Sequence, residues 1–146
     1  MASYSPELLW ECVKGSSSFI RKTNKQLRMP VMTAEPGNSC GLNSYKYSGL
    51  ANKNVLDIAP VKKGTRETVI LTTSSKKVSR GQRPASRLVK TGVRKQSKKA
   101  LSALEKKLSG GYYRRDLLEL AKVKYAKITK SFKKKKVVVK SRRSGK

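Results

Sequence analysis

The chain has 146 residues, of which 36 are lysine or arginine and 8 are aspartate or glutamate, so its formal net charge is +28. A compact domain rarely carries so much self-repulsion unless a polyanion neutralises it, which points to nucleic acid or an anionic membrane surface. The sequence contains no histidine, and this excludes the commonest general base and the commonest metal ligand.

The chain begins with a short helical pattern. We predict a helix at Pro6–Val13, because Ser5 is a suitable N-cap and proline suits the first helical position. A strand is expected at Ser18–Thr23, followed by a tight turn at Glu35–Asn38, where proline and glycine favour turn geometry.

Three further strands are predicted at Ser44–Tyr47, Asn54–Ile58 and Glu67–Thr73, of which the last is the clearest because it is rich in β-branched residues. We expect them to form a small antiparallel sheet against the first helix. The expected core residues, with the tryptophan as the largest anchor, are Trp10, Phe19, Ile20, Val69 and Leu71.

The residue pattern of the second half of the chain predicts an arm, two helices and a tail. From Ser74 to Gln96 no hydrophobic period survives, which favours an extended arm. A helix is expected from Ser97 to Leu108, ended by two glycines, and a second helix from Arg115 to Ser131. The apolar stripe of that second helix consists of Leu117, Ala121, Tyr125 and Ile128.

These elements predict an α+β protein in four parts. Residues 1–73 form a globular domain of an N-terminal helix on a short antiparallel sheet. Residues 74–96 form an extended basic arm, residues 97–131 two amphipathic helices, and residues 132–146 a basic C-terminal tail.

No pattern in the sequence predicts catalysis. Cys12 and Cys40 are lone thiols without paired spacing, too few ligands for a metal site. Asp116 and Glu119 are better explained as carboxylates that complement a helix dipole, the second able to pair with Arg115. We therefore expect no enzyme activity, no catalytic residue, no metal, no cofactor and no small-molecule substrate.

Nothing in the sequence predicts a signal peptide or a membrane span. We expect a cytosolic or nuclear protein without a membrane partner.

The positive charge is concentrated in the second half. Residues 1–60 have a net charge of +3, whereas residues 61–146 have a net charge of +25. Basic residues interleaved with small polar ones suit contact with phosphates, and exposed tyrosines suit stacking on bases. We expect Tyr47 and Tyr112 to be the stacking residues. The predicted RNA-binding residues are Lys76, Lys77, Arg80, Arg83, Arg87, Lys90, Arg94, Lys95, Lys98, Lys99, Arg114, Arg115, Lys133, Lys134, Lys135, Lys136, Arg142 and Arg143.

Several short motifs follow one another in an order that is specific as a set. They extend from the first helix to the start of the last one and so cover nearly the whole chain. They are Leu9-Trp10, Ser17-Ser18-Phe19-Ile20, Thr33-Ala34-Glu35-Pro36-Gly37-Asn38, Asn43-Ser44-Tyr45-Lys46-Tyr47-Ser48-Gly49-Leu50, Gly81-Gln82-Arg83-Pro84-Ala85 and Tyr113-Arg114-Arg115-Asp116-Leu117.

In these motifs the chain resembles the eukaryotic large-subunit ribosomal protein 28 family, which is unrelated to the bacterial protein of that number. It departs from the family pattern by an apparent insertion at Leu27–Met32 and by Arg115, where proline is expected. The resemblance implies a structural protein of the 60S subunit, with ribosomal RNA and neighbouring ribosomal proteins as partners. It also implies a cytoplasmic location in the ribosome, after assembly in the nucleolus.

Two alternatives remain open. A related nucleolar ribosome-assembly factor resembles the same N-terminal domain, but it has additional metal-binding cysteines and a long acidic extension, which this chain lacks. A histone-like DNA-compacting protein would have a similar charge but would not need the turn and tyrosine motifs.

Overall fold

The computed structural model describes residues 4–21, 29–64, 66–81, 83–93 and 97–132. Over these residues the chain is an α+β protein with antiparallel sheets, which confirms the predicted fold class. The end of the strand predicted at Ser18–Thr23 and nearly all of the predicted basic tail lie outside the described residues.

The N-terminal part consists of a helix and a two-stranded sheet. Helix α1 spans Pro6–Val13, as predicted, with proline in its first turn, although the Ser5 side chain makes no capping hydrogen bond. Strand β1 (Ile20–Arg21) pairs antiparallel with β2 (Met32–Thr33). The turn at residues 35–38 is also confirmed, and Gly37 adopts a φ of 87° there.

The main sheet has three antiparallel strands in the order β3-β4-β5, which span Leu56–Lys63, Arg66–Ser74 and Leu88–Val93. The central strand β4 confirms the clearest strand prediction. Strand β3 lies further along the chain than the strand predicted at Asn54–Ile58. Strand β5 comes from the segment that the sequence assigned to an extended arm, and its backbone pairs with the otherwise open edge of β4.

Two four-residue helices, α2 (Val78–Gly81) and α3 (Pro84–Arg87), connect β4 to β5. The described part of the predicted arm therefore forms two short helices and a strand of the main sheet. Its scattered apolar residues gave no helical period, but a short strand needs only a few of them once a partner edge is available.

The C-terminal helices agree closely with the sequence prediction. Helix α4 spans Ser97–Ser109, and a 3-10 turn at Arg115–Leu117 leads into α5 at Leu118–Ser131. The apolar stripe predicted for the last helix is buried throughout. The core between the sheet and these helices consists of Leu56, Ile58, Val69, Leu71, Ala100, Leu104, Leu108, Leu117, Ala121, Tyr125 and Ile128.

The core prediction was wrong for its N-terminal members. Helix α1 has no buried residue, Phe19 is 38% exposed, and Trp10 and Ile20 are only half-buried. The physical reason is that longer helices cover the sheet. Helices α4 and α5 have 13 and 14 residues, whereas α1 has 8. They bring the larger apolar surface to the sheet and occupy its inner face.

The segment predicted as a strand at Ser44–Tyr47 forms a turn instead. The amides of Tyr47 and Ser48 both donate to the Ser44 carbonyl, at 3.1 and 3.0 Å. This turn belongs to a loop that is fixed by one buried carboxylate. Glu35 accepts hydrogen bonds from the Asn38 side-chain amide at 3.0 Å, and from the Ser48 hydroxyl and the Gly49 amide at 3.3 Å.

Gly49 allows this loop to close, and we expect Gly49→Ala to lower the free energy of unfolding by about 1–3 kcal/mol. A β-carbon at this position would lie 2.1 Å from the backbone oxygen of Pro36, which no side-chain rotation can relieve. Gly15→Ala is the matched control, because a β-carbon there meets nothing within 4 Å. Urea unfolding of both variants is the measurement, and a Gly49→Ala midpoint equal to that of the parent would contradict the packing described.

Candidate nucleic-acid interface

A row of basic residues lines one side of the segment between β4 and β5. Three successive backbone amides each donate to the carbonyl three positions earlier. These hydrogen bonds run from Arg80 to Lys77, from Arg83 to Arg80 and from Ser86 to Arg83, at 3.1–3.2 Å. Bonds of this kind stack side chains that are three residues apart. The local turn chemistry therefore places Lys77, Arg80 and Arg83 on the same side of the chain.

These residues border an open cleft of about 680 Å³, which we call the basic cleft. Its walls contain three cationic side chains and no carboxylate among the residues that the structure describes. None of the ion pairs in the described part of the chain involves these three cations. Such a surface is suited to a polyanion with closely spaced charges. The lining residues are Lys77, Ser79, Arg80, Arg83, Ser86 and Val89.

Other predicted RNA-binding residues are exposed elsewhere on the second half of the chain. Lys98 and Lys99 lie in the first turn of α4, which has no acidic residue. Cations at this end of a helix oppose the helix dipole, so an external anion would relieve an unfavourable arrangement. Lys76 precedes α2 and Lys90 lies on β5, both exposed.

Two of the predicted arginines are engaged by the protein itself. The Arg87 guanidinium donates to the backbone oxygens of Leu50 at 2.9 Å and Asn52 at 2.6 Å. It thereby joins the end of α3 to the loop before β3. Arginine has five donors in a fixed fork, and in Arg87 at least two of them are already used.

Arg114 has a similar position at the turn between α4 and α5. Its guanidinium donates to the backbone oxygens of Asn54 at 3.2 Å and Lys46 at 2.7 Å, and it forms an ion pair with Asp116 at 3.1 Å. The side chain is only 14% exposed. Sequence reasoning assigned Arg87 and Arg114 to RNA because it recognised their charge, whereas the structure gives both a role in holding loops together.

Two pairs of tyrosines, Tyr112 with Tyr113 and Tyr45 with Tyr47, each have one more exposed and one more buried member. Tyr112 is 81% exposed in a left-handed backbone conformation, and the guanidinium of the exposed Arg115 lies 5.6 Å from its ring centre. Tyr113 turns inward. In the other pair Tyr47 packs partly against the core and Tyr45 is 37% exposed, and the stacking expected of Tyr47 stays a prediction.

The remaining predicted RNA-binding residues lie outside the described residues. They are Arg94, Lys95, Lys133, Lys134, Lys135, Lys136, Arg142 and Arg143.

Sequence reasoning missed the cations that neutralise the few carboxylates within the fold. Lys124 pairs with Asp57 at 2.7 Å and so joins α5 to β3, while Lys122 pairs with Glu105 between α5 and α4. No local signal identifies these pairs, because their members are distant in the sequence.

The described residues contain no helix long and apolar enough to cross a membrane. Nor do the cysteines and carboxylates within those ranges gather into a group that could hold a metal ion. The two thiols are free, Cys12 exposed and Cys40 half-buried.

Comparison with known proteins identifies a family. The model of the ribosomal L28e protein family matches residues 8–131. The chain is similar to the large ribosomal subunit protein eL28 of Dictyostelium discoideum, with 37% identity over 57 residues, which are 39% of this chain and 40% of that protein. It is also similar to the large ribosomal subunit protein eL28 of Caenorhabditis elegans, with 36% identity over 73 residues, 50% of this chain and 53% of that protein. The chain thus spans about half the length of these relatives.

The contrast between engaged and outward-facing arginines is testable by substitution. We expect Arg87→Gln to lower the free energy of unfolding by about 1.5–3 kcal/mol, because charge-assisted hydrogen bonds to two carbonyls are lost. Arg83→Gln, in the basic cleft, is expected to change it by less than about 0.5 kcal/mol. Urea unfolding of the two variants provides the comparison, and equal effects would remove the distinction between them.

Proposed function

The chain belongs to the ribosomal L28e protein family, and from this premise we propose that it is a structural constituent of the large ribosomal subunit. In this role it binds and stabilises ribosomal RNA through basic surfaces and thereby supports translation. The proposal includes no catalytic step, no cofactor and no small-molecule substrate. Its partners are large-subunit ribosomal RNA and neighbouring ribosomal proteins, and its location is the cytoplasmic ribosome after assembly in the nucleolus.

The basic cleft is the main structural support for the proposed RNA binding. Lys77, Arg80 and Arg83 converge there without a carboxylate in the described walls. Holding three like charges together is unfavourable in the free protein, and phosphate groups remove the repulsion. Each phosphate that is neutralised also releases condensed counterions, which supplies affinity without any recognition of base sequence.

Two further features extend the same surface chemistry. The lysines in the first turn of α4 offer a second phosphate contact, supported by the positive end of the helix dipole. Tyr112, with Arg115 beside its ring, offers a flat aromatic face for an unpaired base. Stacking of this kind is worth roughly 1–3 kcal/mol per base.

The proposal is tested by the salt dependence of binding to large-subunit ribosomal RNA. Replacing Lys77, Arg80 and Arg83 together with glutamine removes up to three phosphate contacts. The slope of log K against log salt is therefore expected to become shallower by about two to three units. Affinity should fall similarly for different RNA sequences, because phosphate contacts contain no sequence information.

The control removes the same formal charge from three lysines that do not line the basic cleft, by the changes Lys14→Gln, Lys53→Gln and Lys62→Gln. We expect its slope to differ from that of the parent by less than about one unit. Equal changes in the two triple variants would mean that only total charge matters. An unchanged slope in the cleft variant would mean that the cleft does not contact phosphate.

Sedimentation of the tagged chain on a sucrose gradient separates the proposed role from the two alternatives. Migration with large subunits and polysomes is the expected result. Migration only with nuclear precursors would favour an assembly factor, and retention on duplex DNA rather than ribosomal RNA after equal salt washes would favour a DNA-compacting protein.

A further inference from the structure

Helix α1 is a short helix that packs only partly against the rest of the protein. It has eight residues and no buried side chain. Helices shorter than about 12–15 residues are marginal in water, and in proteins they are stabilised mainly by packing of an apolar face. Of its apolar side chains, Leu9, Trp10 and Val13 are half-buried, whereas Leu8 is exposed. The Trp10 ring lies beside Tyr45, with ring centroids 6.1 Å apart.

Most of the large exposed hydrophobic residues in the described ranges lie in the N-terminal part of the chain, as α1 does. Nine large hydrophobic residues are exposed in the described ranges, and seven of them lie at or before Tyr45. Leu8 alone is 58% exposed. Exposed apolar residues that share one surface often mark an interaction site, and Leu8 and Tyr45 line one groove. The seven residues are Tyr4, Leu8, Phe19, Met29, Val31, Met32 and Tyr45.

Part of this surface is an open groove of about 390 Å³ beside α1, which we call the α1 groove. Trp10 and Tyr45 supply its aromatic wall, and Leu8 and Ser5 extend it along the helix. Aromatic residues of this kind are enriched among those that dominate binding energy in protein interfaces. The end of α1 is fixed to the body, since the Asn43 side-chain amide donates to the Lys14 carbonyl at 2.9 Å.

The charge of the α1 groove is opposite to that of the rest of the molecule. Glu7 and Glu11, spaced by four residues and therefore on one side of the helix, both line it. They are two of only eight acidic residues in the whole chain. Among the described lining residues there is no lysine or arginine, although Lys14 pairs with Glu11 from outside the groove.

We propose that the α1 groove docks a basic polypeptide segment of another protein, with a large apolar side chain against Trp10 and Tyr45 and a lysine or arginine beside Glu7 and Glu11. RNA is a poor occupant, because its phosphates would lie against two carboxylates. A basic segment instead meets complementary charge and covers the apolar face of α1. The proposal concerns a surface other than the basic cleft and does not depend on the proposed function.

Trp10 provides a direct test, because it is the only tryptophan in the chain. The probe is a short synthetic peptide in which lysine and leucine alternate in pairs, added to the full chain at near-physiological ionic strength. We expect Trp10 emission to shift to shorter wavelength in a saturable manner. A peptide with serine in place of leucine, and one with glutamate in place of lysine, should leave the emission unchanged.

Substitutions in the α1 groove are expected to lower the affinity for this peptide in proportion to the contacts that they remove. Leu8→Ser should lower affinity about five- to tenfold, and the double change Glu7→Gln and Glu11→Gln about fivefold. The controls are Val123→Ser, which removes an apolar residue that is 53% exposed on α5, and Glu119→Gln, which removes an exposed carboxylate there. Both should leave the affinity for the peptide unchanged.

Three results would overturn the proposal. One is an absent emission shift with the lysine–leucine peptide. The second is a shift caused by ribosomal RNA that also displaces the peptide, which would make the groove an RNA site. The third is a shift that depends only on the concentration of the chain itself, which would make the occupant a second copy. The affinity of the same groove variants for RNA, and the salt slope of that affinity, should equal those of the parent. Loss of peptide docking can therefore be distinguished from loss of RNA binding.

Discussion

The hydroxyl group of Tyr113 joins the three parts of the structure that meet around the core. It donates to the Val55 carbonyl at 2.6 Å, and it accepts from the Ser74 amide at 2.9 Å. Val55 ends the long loop before β3, Ser74 ends β4, and Tyr113 follows the turn after α4. Arg114, the next residue, adds hydrogen bonds to the same loop. The orientation of the helices on the sheet, the position of the loop and the direction of the chain toward the basic cleft all depend on this corner.

Single cations that bridge distant segments help a chain with a charge of +28 to fold. Within the described residues, a few cations are used one at a time, each against backbone carbonyls or a single carboxylate, as in Arg87, Arg114 and Lys124. These interactions connect segments far apart in sequence. The cations of the basic cleft have no such partner among the described carboxylates. The molecule thus separates a small set of structural charges from a larger set that faces outward.

The sequence predicted those features that depend on local pattern. The long apolar stripe of α5, the glycines after α4 and the β-branched run of β4 each determine their own element. The sequence did not predict which helices cover the sheet. The answer depends on how much apolar surface each helix offers relative to the others, which the hydrophobic period of a single helix does not reveal. The strand β5 was missed for a related reason, since it needs the edge of β4 as a partner.

The candidate site shows the same limit. A basic residue at position 80 and one at position 87 look alike in the sequence, but the second lies within reach of carbonyls 35 and 37 positions away. The sequence also did not indicate that Tyr45 is more exposed than Tyr47, because a strand was predicted where the structure has a turn. By contrast, Tyr112, which the sequence analysis selected for stacking, is 81% exposed, while Tyr113 faces the core.

Arginine-selective modification with phenylglyoxal tests, residue by residue, whether outward-facing cations bind RNA while others hold the fold. The full chain is modified alone and in complex with large-subunit ribosomal RNA, and the modified sites are quantified by mass spectrometry. We expect Arg80 and Arg83 to react rapidly in the free protein and to be protected in the complex, whereas Arg87 and Arg114 should react slowly in both. Equal reactivity of Arg80 and Arg83 with and without RNA, or rapid modification of Arg87 in the free protein, would contradict this expectation.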